Sequence, residues 1–313
     1  IMSPYSPHDA ASAASSPGGV SSIVACAGWS DAIAIVPWTL YERTGDLRVL
    51  EENYDAVLAW IEWQRRTAEA ELPERLSGVA LDPERLARQH LLYNTGEQFG
   101  DWLAPSTLLG GPLHERIGVA PRLTSELLAP MFQAQTLTLA ARMAEALGRD
   151  ADAAELRARA AEVRAAFAAE YVGADGRLDT ELQGPVVLAL AFDMLPADRV
   201  TGAVAQLVEL VRAAGDRLDT GFLSLPHLLD VLYDHGHPEL ARAILWQSDA
   251  PSWLAQVDRG ATTVWENWEA IAADGTPSTV SLNHYAFGAV DDVLYRRILG
   301  IAPTAPGYRE VRI

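Results

Sequence analysis

The sequence predicts an all-α protein whose helical hairpins form an (α/α)6 toroid. Apolar residues recur at helical spacing over segments of about 10 to 25 residues. Strand-like alternation is nearly absent, and clusters of aromatic and acidic residues fall in long loops. Helices joined by alternating short turns and long loops fit either a closed toroid or an open solenoid. We favour the toroid because its long loops converge on one face and can line a pocket.

The first helices follow an irregular start. Residues 1–28 are rich in Ser, Ala, Pro and Gly and predict an irregular lead-in. A helix then begins at Asp31, a good helix N-terminal residue, and ends at Gly45. Pro37 lies inside this helix and predicts a bend or a restart, because proline lacks the amide hydrogen that the helix needs. A long second helix is expected at about 47–71, where apolar residues keep helical spacing.

The rest of the chain is predicted to be helical from Thr124 onwards, after two segments with loop signals. Residues 72–98 predict a loop with one short helix, and residues 104–121 predict a loop because Pro and Gly recur there. The last residues, 308–313, alternate in a strand-like way. Further helices are expected at about 124–148, 152–171, 183–195, 196–214, 226–235, 239–247 and 285–299.

Composition and charge limit which partners and which cellular compartment are expected for this protein. The chain has 313 residues, 49% of them hydrophobic, with a formal charge of −18 and a pI near 4.7. A polyanion would be repelled, so neither nucleic acid nor an anionic membrane is expected as a partner. No run of about 18 apolar residues is present that could span a membrane. The start, Ile1-Met-Ser-Pro, lacks the pattern of a signal peptide, so the expected location is cytoplasmic.

No cofactor and no metal ion are expected. The single cysteine, Cys26, excludes an intrachain disulfide and a thiolate metal cluster, and its small neighbours suit a buried hydrophobe. His227, His235 and His237 are loosely spaced and lack paired acids, so they do not predict a metal site.

The strongest candidate site lies near the C-terminus. Trp265 and Trp268 flank the carboxylate of Glu266, and His284 and Tyr285 follow after a short loop. Indole rings pack on the flat faces of a pyranose, hydroxyl groups suit charged acceptors, and glycosidic cleavage needs carboxylates. The same residues also fit a buried helix start, with tryptophans in the core and the glutamate capping a backbone amide. Spacing alone leaves both interpretations open.

Six motifs carry more information than their spacing. They are Trp29-Ser-Asp-Ala-Ile-Ala-Ile-Val-Pro-Trp-Thr-Leu-Tyr-Glu-Arg-Thr-Gly-Asp46, Phe99-Gly-Asp-Trp-Leu103, Thr220-Gly-Phe222, Pro251-Ser-Trp253, Gly260-Ala-Thr-Thr-Val-Trp-Glu-Asn-Trp268 and Leu282-Asn-His-Tyr-Ala-Phe-Gly288. In order and in approximate spacing, the set resembles the bacterial α-L-rhamnosidases of glycoside hydrolase family 78. One such motif would be a weak signal, whereas an ordered set over most of the chain is specific.

The resemblance implies an (α/α)6 barrel that hydrolyses terminal α-L-rhamnosides with inversion. An inverting site uses one carboxylic acid and one carboxylate base, roughly 6.5–9.5 Å apart. Glu266 falls on the family's general base, and Asp31 and Asp101 are expected to support the sugar pocket. The predicted substrate-binding residues are Trp29, Asp31, Asp101, Trp102, Trp265 and His284.

Two departures from the family pattern bear on activity. Asn267 follows the base where the family commonly has Arg, so an orienting charge beside Glu266 is missing. The family's general acid lies in an Arg-Asp-Glu loop upstream of the Trp29 motif, and nothing in residues 1–28 matches that loop. We therefore expect little or no hydrolysis by this chain alone.

The predicted organisation has three parts. Residues 1–28 form the irregular lead-in, residues 29–303 a partial (α/α)6-barrel catalytic domain that is incomplete at its N-terminal end, and residues 304–313 the start of a β-strand segment. By this resemblance the chain is the later part of a catalytic barrel, cut at both ends.

A rhamnose-containing glycoside or oligosaccharide is the expected partner, and the oligomeric state stays open. Three alternatives remain at this stage. The chain could be a non-catalytic carbohydrate-binding helical domain, another (α/α)6-barrel glycosidase, or an α-solenoid scaffold for a protein partner. Clustering of the aromatic residues in loops, instead of along one concave face, argues against the scaffold.

Overall fold

The computed structural model describes residues 25–313, and helices dominate this part of the chain, which confirms the all-α prediction. The predicted lead-in falls almost wholly outside the described residues. The α-helices are α1 (Ala32–Thr44), α2 (Arg48–Ala70), α3 (Pro83–Gln89), α4 (Leu113–Arg116), α5 (Val119–Ala146), α6 (Asp150–Tyr171), α7 (Gln183–Ala191), α8 (Val200–Ala213), α9 (Leu225–Asp234), α10 (Pro238–Leu245), α11 (Trp253–Asp258) and α12 (Val290–Val293). Short 3-10 helices span Glu74–Leu76, Pro105–Leu108, Ala286–Ala289 and Pro306–Tyr308, and a π-helical turn spans Leu294–Ile298.

Within the described residues, no helix combines the length and apolar character that crossing a bilayer would require.

Two predictions about the helices were wrong, and one helix was not predicted at all. Helix α1 continues through Pro37, which is buried inside it, so the predicted restart does not occur. The segment 104–121 is not a plain loop, because it holds a 3-10 helix and α4, and α5 already begins at Val119. Helix α11 went unpredicted, although Ser252 caps it by accepting a hydrogen bond from the amide of Ala255 at 3.1 Å.

The first of two compact units comprises residues 25–100, Ser125–Tyr171 and Ala302–Ile313. Helices α1 and α2 pack together as a hairpin in this unit, and α3 contacts α6. Helix α2 buries Leu50, Tyr54, Val57 and Ile61, the spacing expected of one helix face.

The C-terminal residues of the chain return to the end of α1. Gly45 terminates α1 in the left-handed conformation, with φ of 72°. A Cβ atom added to Gly307 would lie 3.0 Å from the carbonyl oxygen of Thr44, so a glycine permits this close approach. The hydroxyl of Tyr308 accepts a hydrogen bond from Arg43 beside it. These contacts hold the end of the chain against the first helical hairpin.

A two-stranded antiparallel sheet follows the helical part of the chain. Strand β1 (Ala302–Pro303) pairs with β2 (Val311–Arg312), with Ala302 opposite Arg312. The strand predicted at 308–313 is therefore present but covers only two residues.

The second compact unit comprises Asp101–Thr124 and Val172–Ile301. In it, α7 packs against both α8 and α9, and α9 packs against α10. Each fully buried aliphatic side chain in such a core stabilises the fold by about 1.5–3 kcal/mol. This core supports the loops that carry most of the candidate site, and its members include Val186, Val187, Leu207, Leu228, Leu229, Ile244, Trp268 and Phe287.

Candidate active site

Glu266 lies in a short element made from two chain segments, 264–268 and 281–285. The amide of Glu266 donates to the carbonyl oxygen of Ser281 at 3.0 Å, and the amide of His284 donates to the carbonyl oxygen of Val264 at 2.8 Å. These two hydrogen bonds join the segments and bring the predicted base and the predicted sugar-binding histidine into one element.

The Glu266 carboxylate is oriented by a backbone amide. Its Oε2 atom accepts a hydrogen bond from the amide of Ser281 at 2.8 Å, and the residue is half-buried. Among the described residues no donor bonds its Oε1 atom, and no cation pairs with it. One oxygen is therefore held while the other can accept a proton or a hydrogen bond from a ligand.

Asn267 does not take the place of the arginine common in the family. Its Oδ1 atom accepts from the amide of Glu269 at 2.9 Å, which ties it to its own chain segment. Glu269 is exposed, and Arg259 approaches it only to 3.9 Å. A surface ion pair of this length contributes little to stability. The orientation of Glu266 thus comes from Ser281, a residue that spacing did not single out.

Trp265 and Trp268 are both interior residues, each 2% exposed. The ring of Trp268 stacks on Phe287 at 4.3 Å between centroids, and Trp253 meets Trp268 edge-on at 5.3 Å. This burial matches the core-filling interpretation of the two tryptophans. Contact of Trp265 with a ligand stays a prediction. Its burial favours a role in packing beneath the chain segment that carries Glu266.

His284 is half-buried, and one of its ring nitrogens accepts a backbone hydrogen bond. The Nδ1 atom accepts from the amide of Ala286 at 3.3 Å. In the neutral ring, the proton then sits on Nε2, which becomes a donor suited to a sugar hydroxyl. The ring also packs on Phe222, with 5.0 Å between centroids.

Asp101 is a buried carboxylate, 1% exposed, and no cation among residues 25–313 pairs with it. Its Oδ2 atom accepts from the amide of Gly221 at 2.8 Å and from the hydroxyl of Ser224 at 2.5 Å. Its Oδ1 atom accepts from the amides of Leu223 at 3.2 Å and Ser224 at 3.1 Å. Burial raises the pKa of Asp101, and these four hydrogen bonds act in the opposite direction.

The Asp101 hydrogen bonds hold the 221–224 segment at the N-terminal end of α9, where helix amides favour a negative charge. In the same segment, the amide of Phe222 donates to the carbonyl oxygen of Trp102 at 3.0 Å. Trp102 is half-buried. Asp101 therefore acts through the chain segment that carries Phe222, the ring on which His284 packs.

Asp31 plays the corresponding internal part in the first unit, where it is fully buried. Its Oδ1 atom accepts from Trp60 at 2.7 Å, Gln64 at 3.2 Å and Thr136 at 2.6 Å. Its Oδ2 atom accepts from the amide of Gly28 at 2.7 Å. Burial raises the pKa of Asp31, and the four hydrogen bonds oppose that rise.

Support of the sugar pocket by Asp31 and Asp101 stays a prediction, and so does direct sugar contact, which their burial disfavours. Any ligand contact would have to displace donors that already saturate these carboxylates. Trp29 is half-buried in the first unit and meets Phe99 edge-on at 4.9 Å.

The structure thus gathers Trp265, Glu266 and His284 into one element and links Asp101 and Trp102 to it through Phe222. Trp29 and Asp31 belong to the first unit. The sequence did not indicate Ser281, because its contribution is a backbone amide and no side-chain pattern predicts the position of such a group.

No group of three or more His, Cys, Asp or Glu residues in the part of the chain that the structure describes could hold a metal ion.

Comparison with known proteins places the chain among glycosidases. The family described as the bacterial alpha-L-rhamnosidase 6 hairpin glycosidase domain matches residues 7–298. An alpha-L-rhamnosidase of Streptomyces avermitilis is 35% identical over 290 residues, which cover 92% of this chain and 25% of that protein. An alpha-L-rhamnosidase of an Alteromonas species is 32% identical over 292 residues, which cover 91% of this chain and 29% of that protein.

Solved structures give the same result. The Streptomyces avermitilis alpha-L-rhamnosidase complexed with L-rhamnose matches with a TM-score of 0.76 and 36% identity, covering 91% of this chain and 24% of that one. The alpha-L-rhamnosidase of Aspergillus terreus matches with a TM-score of 0.75 and 27% identity, covering 91% and 31% of the two chains. The chain spans about a quarter of the length of the curated relatives it matches. Its motifs, its helical hairpins and these matches together show that the chain belongs to the six-hairpin glycosidase family of the bacterial α-L-rhamnosidases.

Proposed function

We propose that this chain supplies the water-activating part of an inverting α-L-rhamnosidase active site, with Glu266 as the general base. The observation that carries the proposal is the geometry of that carboxylate: the Ser281 amide holds Oε2 while Oε1 stays available. The family membership and the L-rhamnose bound in the Streptomyces relative support a rhamnose-containing glycoside as the substrate.

In the proposed step, water attacks the anomeric carbon and Glu266 takes the proton that the water releases. A bond forms between the water oxygen and the anomeric carbon while the bond to the leaving group breaks. The Nε2–H group of His284 donates to a sugar hydroxyl, and the ring of Trp102 packs on the pyranose. No buried residue has to ionise during this step, since Asp101 only holds the supporting segment.

The leaving oxygen of an ordinary glycoside also needs a proton, which a general acid provides in inverting enzymes. Because no residue of this chain matches the family's acid loop, we propose that it hydrolyses ordinary rhamnosides poorly. A fluoride leaving group departs without protonation. The chain should therefore release fluoride from the anomer of L-rhamnosyl fluoride that carries the natural linkage configuration.

The test is fluoride release by the 313-residue chain, measured with an ion-selective electrode. Glu266→Gln should reduce the rate by about 10²–10⁴-fold, the usual contribution of a positioned base. Glu269→Gln is the matched control, because that carboxylate is exposed and lies three residues further along the chain. Equal rates for the wild-type chain and Glu266→Gln would refute the assignment.

Binding of L-rhamnose, measured by isothermal titration calorimetry, separates catalysis from recognition. The wild-type chain and Glu266→Gln should bind L-rhamnose with similar affinity, since the substitution keeps size and hydrogen bonding. Binding without fluoride release by the wild-type chain would favour the alternative of a non-catalytic carbohydrate-binding domain.

A further inference from the structure

A continuous series of aromatic rings runs from the core of the second unit to its surface. We call it the aromatic ladder, and its neighbouring rings lie 4.3–5.6 Å apart between centroids. Exposure rises from fully buried Phe287 through half-buried Phe222 and His284 to strongly exposed Tyr285. Its members in order of contact are Trp253, Trp268, Phe287, Phe222, His284 and Tyr285.

Tyr285 is the outermost ring of this ladder. It is 70% exposed, more than any other Phe, Trp or Tyr side chain in the part of the chain that the structure describes. Its ring is nearly parallel to that of His284, with an interplanar angle of 9° and 5.6 Å between centroids. Because His284 packs in turn on Phe222, the Tyr285 ring stacks on a histidine that is itself packed against the interior.

Single exposed aromatic residues are common on protein surfaces and need no special explanation. Two further observations distinguish Tyr285. It belongs to the two-segment element that carries Glu266, through the hydrogen bond between His284 and Val264. Its neighbours Leu282 and Asn283 are also exposed, so one side of this element is open next to the candidate base.

We propose that Tyr285 is a platform for the leaving group of the substrate, a flat ring attached to the anomeric oxygen of a rhamnoside. This inference rests on the proposed function. A terminal sugar fills the inner part of such a site, so the group that departs points towards solvent, where the exposed end of the ladder lies. The shared chemistry is a ring face, which both an aromatic aglycone and a second pyranose present.

Tyr285 is accordingly a residue that determines leaving-group preference and takes no part in proton transfer. His284, one step further in, contacts the rhamnose itself. The ladder would then match the substrate in order, with rhamnose next to His284 and the leaving group next to Tyr285.

The experiment compares binding of ligands with and without a ring in the leaving-group position, by calorimetry on the 313-residue chain. The ligands are methyl α-L-rhamnoside, phenyl α-L-rhamnoside and a rhamnosyl-glucoside. Tyr285→Ala should weaken binding of the phenyl ligand by about 3- to 10-fold, the usual effect of losing one stacked ring. Binding of the methyl ligand should change by less than about 2-fold. Tyr285→Phe keeps the ring face and should bind all three ligands as the wild-type chain does.

Tyr295→Ala is the matched control, because Tyr295 is exposed in the same unit but lies outside the ladder. Weakening of the rhamnosyl-glucoside by Tyr285→Ala would identify a pyranose as an accepted leaving group, and weakening of the phenyl ligand alone would identify an aromatic one. Equal weakening of the methyl and phenyl ligands, or no weakening of any, would overturn the inference. If the wild-type chain binds none of the three ligands, the proposed function itself fails.

Discussion

The backbone of Ser281 forms two hydrogen bonds with Glu266. Its amide donates to the Oε2 atom of the glutamate at 2.8 Å, and its carbonyl oxygen accepts from the amide of Glu266 at 3.0 Å. The side chain and the main chain of the candidate base are therefore fixed by the same residue. This arrangement orients Glu266 through the backbone, while the side chain of Asn267 accepts a hydrogen bond from the amide of Glu269.

Removing the Ser281 amide hydrogen should impair catalysis more than removing its hydroxyl. Ser281→Pro abolishes the hydrogen bond to Oε2, and we expect fluoride release from the activated rhamnoside to fall by about 10- to 100-fold, since misplacement of a catalytic group by about 1 Å has effects of that order. Ser281→Ala keeps the amide and should lose less than about 3-fold in the same assay. Equal losses in the two variants would mean that the hydroxyl, which bonds to Asn283, is the important group.

The hydroxyl of Thr136 should be important for the stability of the first unit. Thr136→Val keeps the shape of the side chain but removes a 2.6 Å hydrogen bond to the buried carboxylate of Asp31. Leaving this buried carboxyl group with one donor fewer should reduce the free energy of unfolding by about 1–3 kcal/mol, measured by urea denaturation. The control is Thr39→Val on the exposed surface of α1, which should change stability by less than about 0.5 kcal/mol. A stability loss no larger than that of the control would show that the remaining donors suffice for Asp31.

Gly184 should tolerate no side chain, because α7 passes directly against Asp101. An added Cβ atom would lie 2.0 Å from Oδ2 of Asp101 and 2.9 Å from Oγ of Ser224. Gly184→Ala should therefore break this hydrogen-bonded cluster and destabilise the chain by about 2 kcal/mol or more in thermal or urea unfolding.

Gly288→Ala serves as the control for crowding in the same unit, since its added Cβ atom would have ordinary contact with Val264 at 3.7 Å. It should unfold within about 1 kcal/mol of the wild-type chain. Similar unfolding curves for Gly184→Ala and Gly288→Ala would contradict the close approach of α7 to Asp101.

His227 should make the chain less stable in mild acid. Burial lowers the pKa of this histidine from 6.5 to about 4, with the nearby Arg296 acting in the same direction and Asp230 opposing it. Between these two values the unfolded chain binds the proton and the folded chain does not, so stability falls as the pH drops from about 6.5 towards 4. The wild-type chain should lose about 2–3 kcal/mol of its free energy of unfolding over this interval because of His227, and His227→Gln should not show that loss.

The free energy of unfolding of both proteins is measured with urea at pH 7 and at pH 4.5. The change between the two pH values in the variant is subtracted from the change in the wild-type chain, so that the contributions of other acid-sensitive groups cancel. The ion pairs that Asp230 makes with Arg296 and Arg297 lower the pKa of Asp230, so their contribution is lost only at still lower pH. An identical pH dependence in the wild-type chain and His227→Gln would show that His227 is not the group responsible.

Local features of the chain were predictable from sequence because they depend on neighbouring residues. The periodicity of α2, the helical ends near Gly45 and Gly148, and the all-α class follow from apolar spacing and backbone preference. The ordered motifs also identified the family from sequence. Pro37 misled the prediction, because tertiary packing buries its ring within a continuous helix and outweighs the missing hydrogen bond.

The amino-acid sequence by itself determined the helical class, the family and the identity of the candidate base. Tertiary structure alone decided that Asp31 and Asp101 are buried anchors, that a backbone amide orients Glu266, and that Tyr285 stands exposed. The physical reason is distance along the chain: Asp31 bonds to a threonine 105 residues away and Asp101 to a serine 123 residues away. Hydrogen bonds between such remote residues leave no periodic trace in the sequence, and burial becomes visible only when the helices pack.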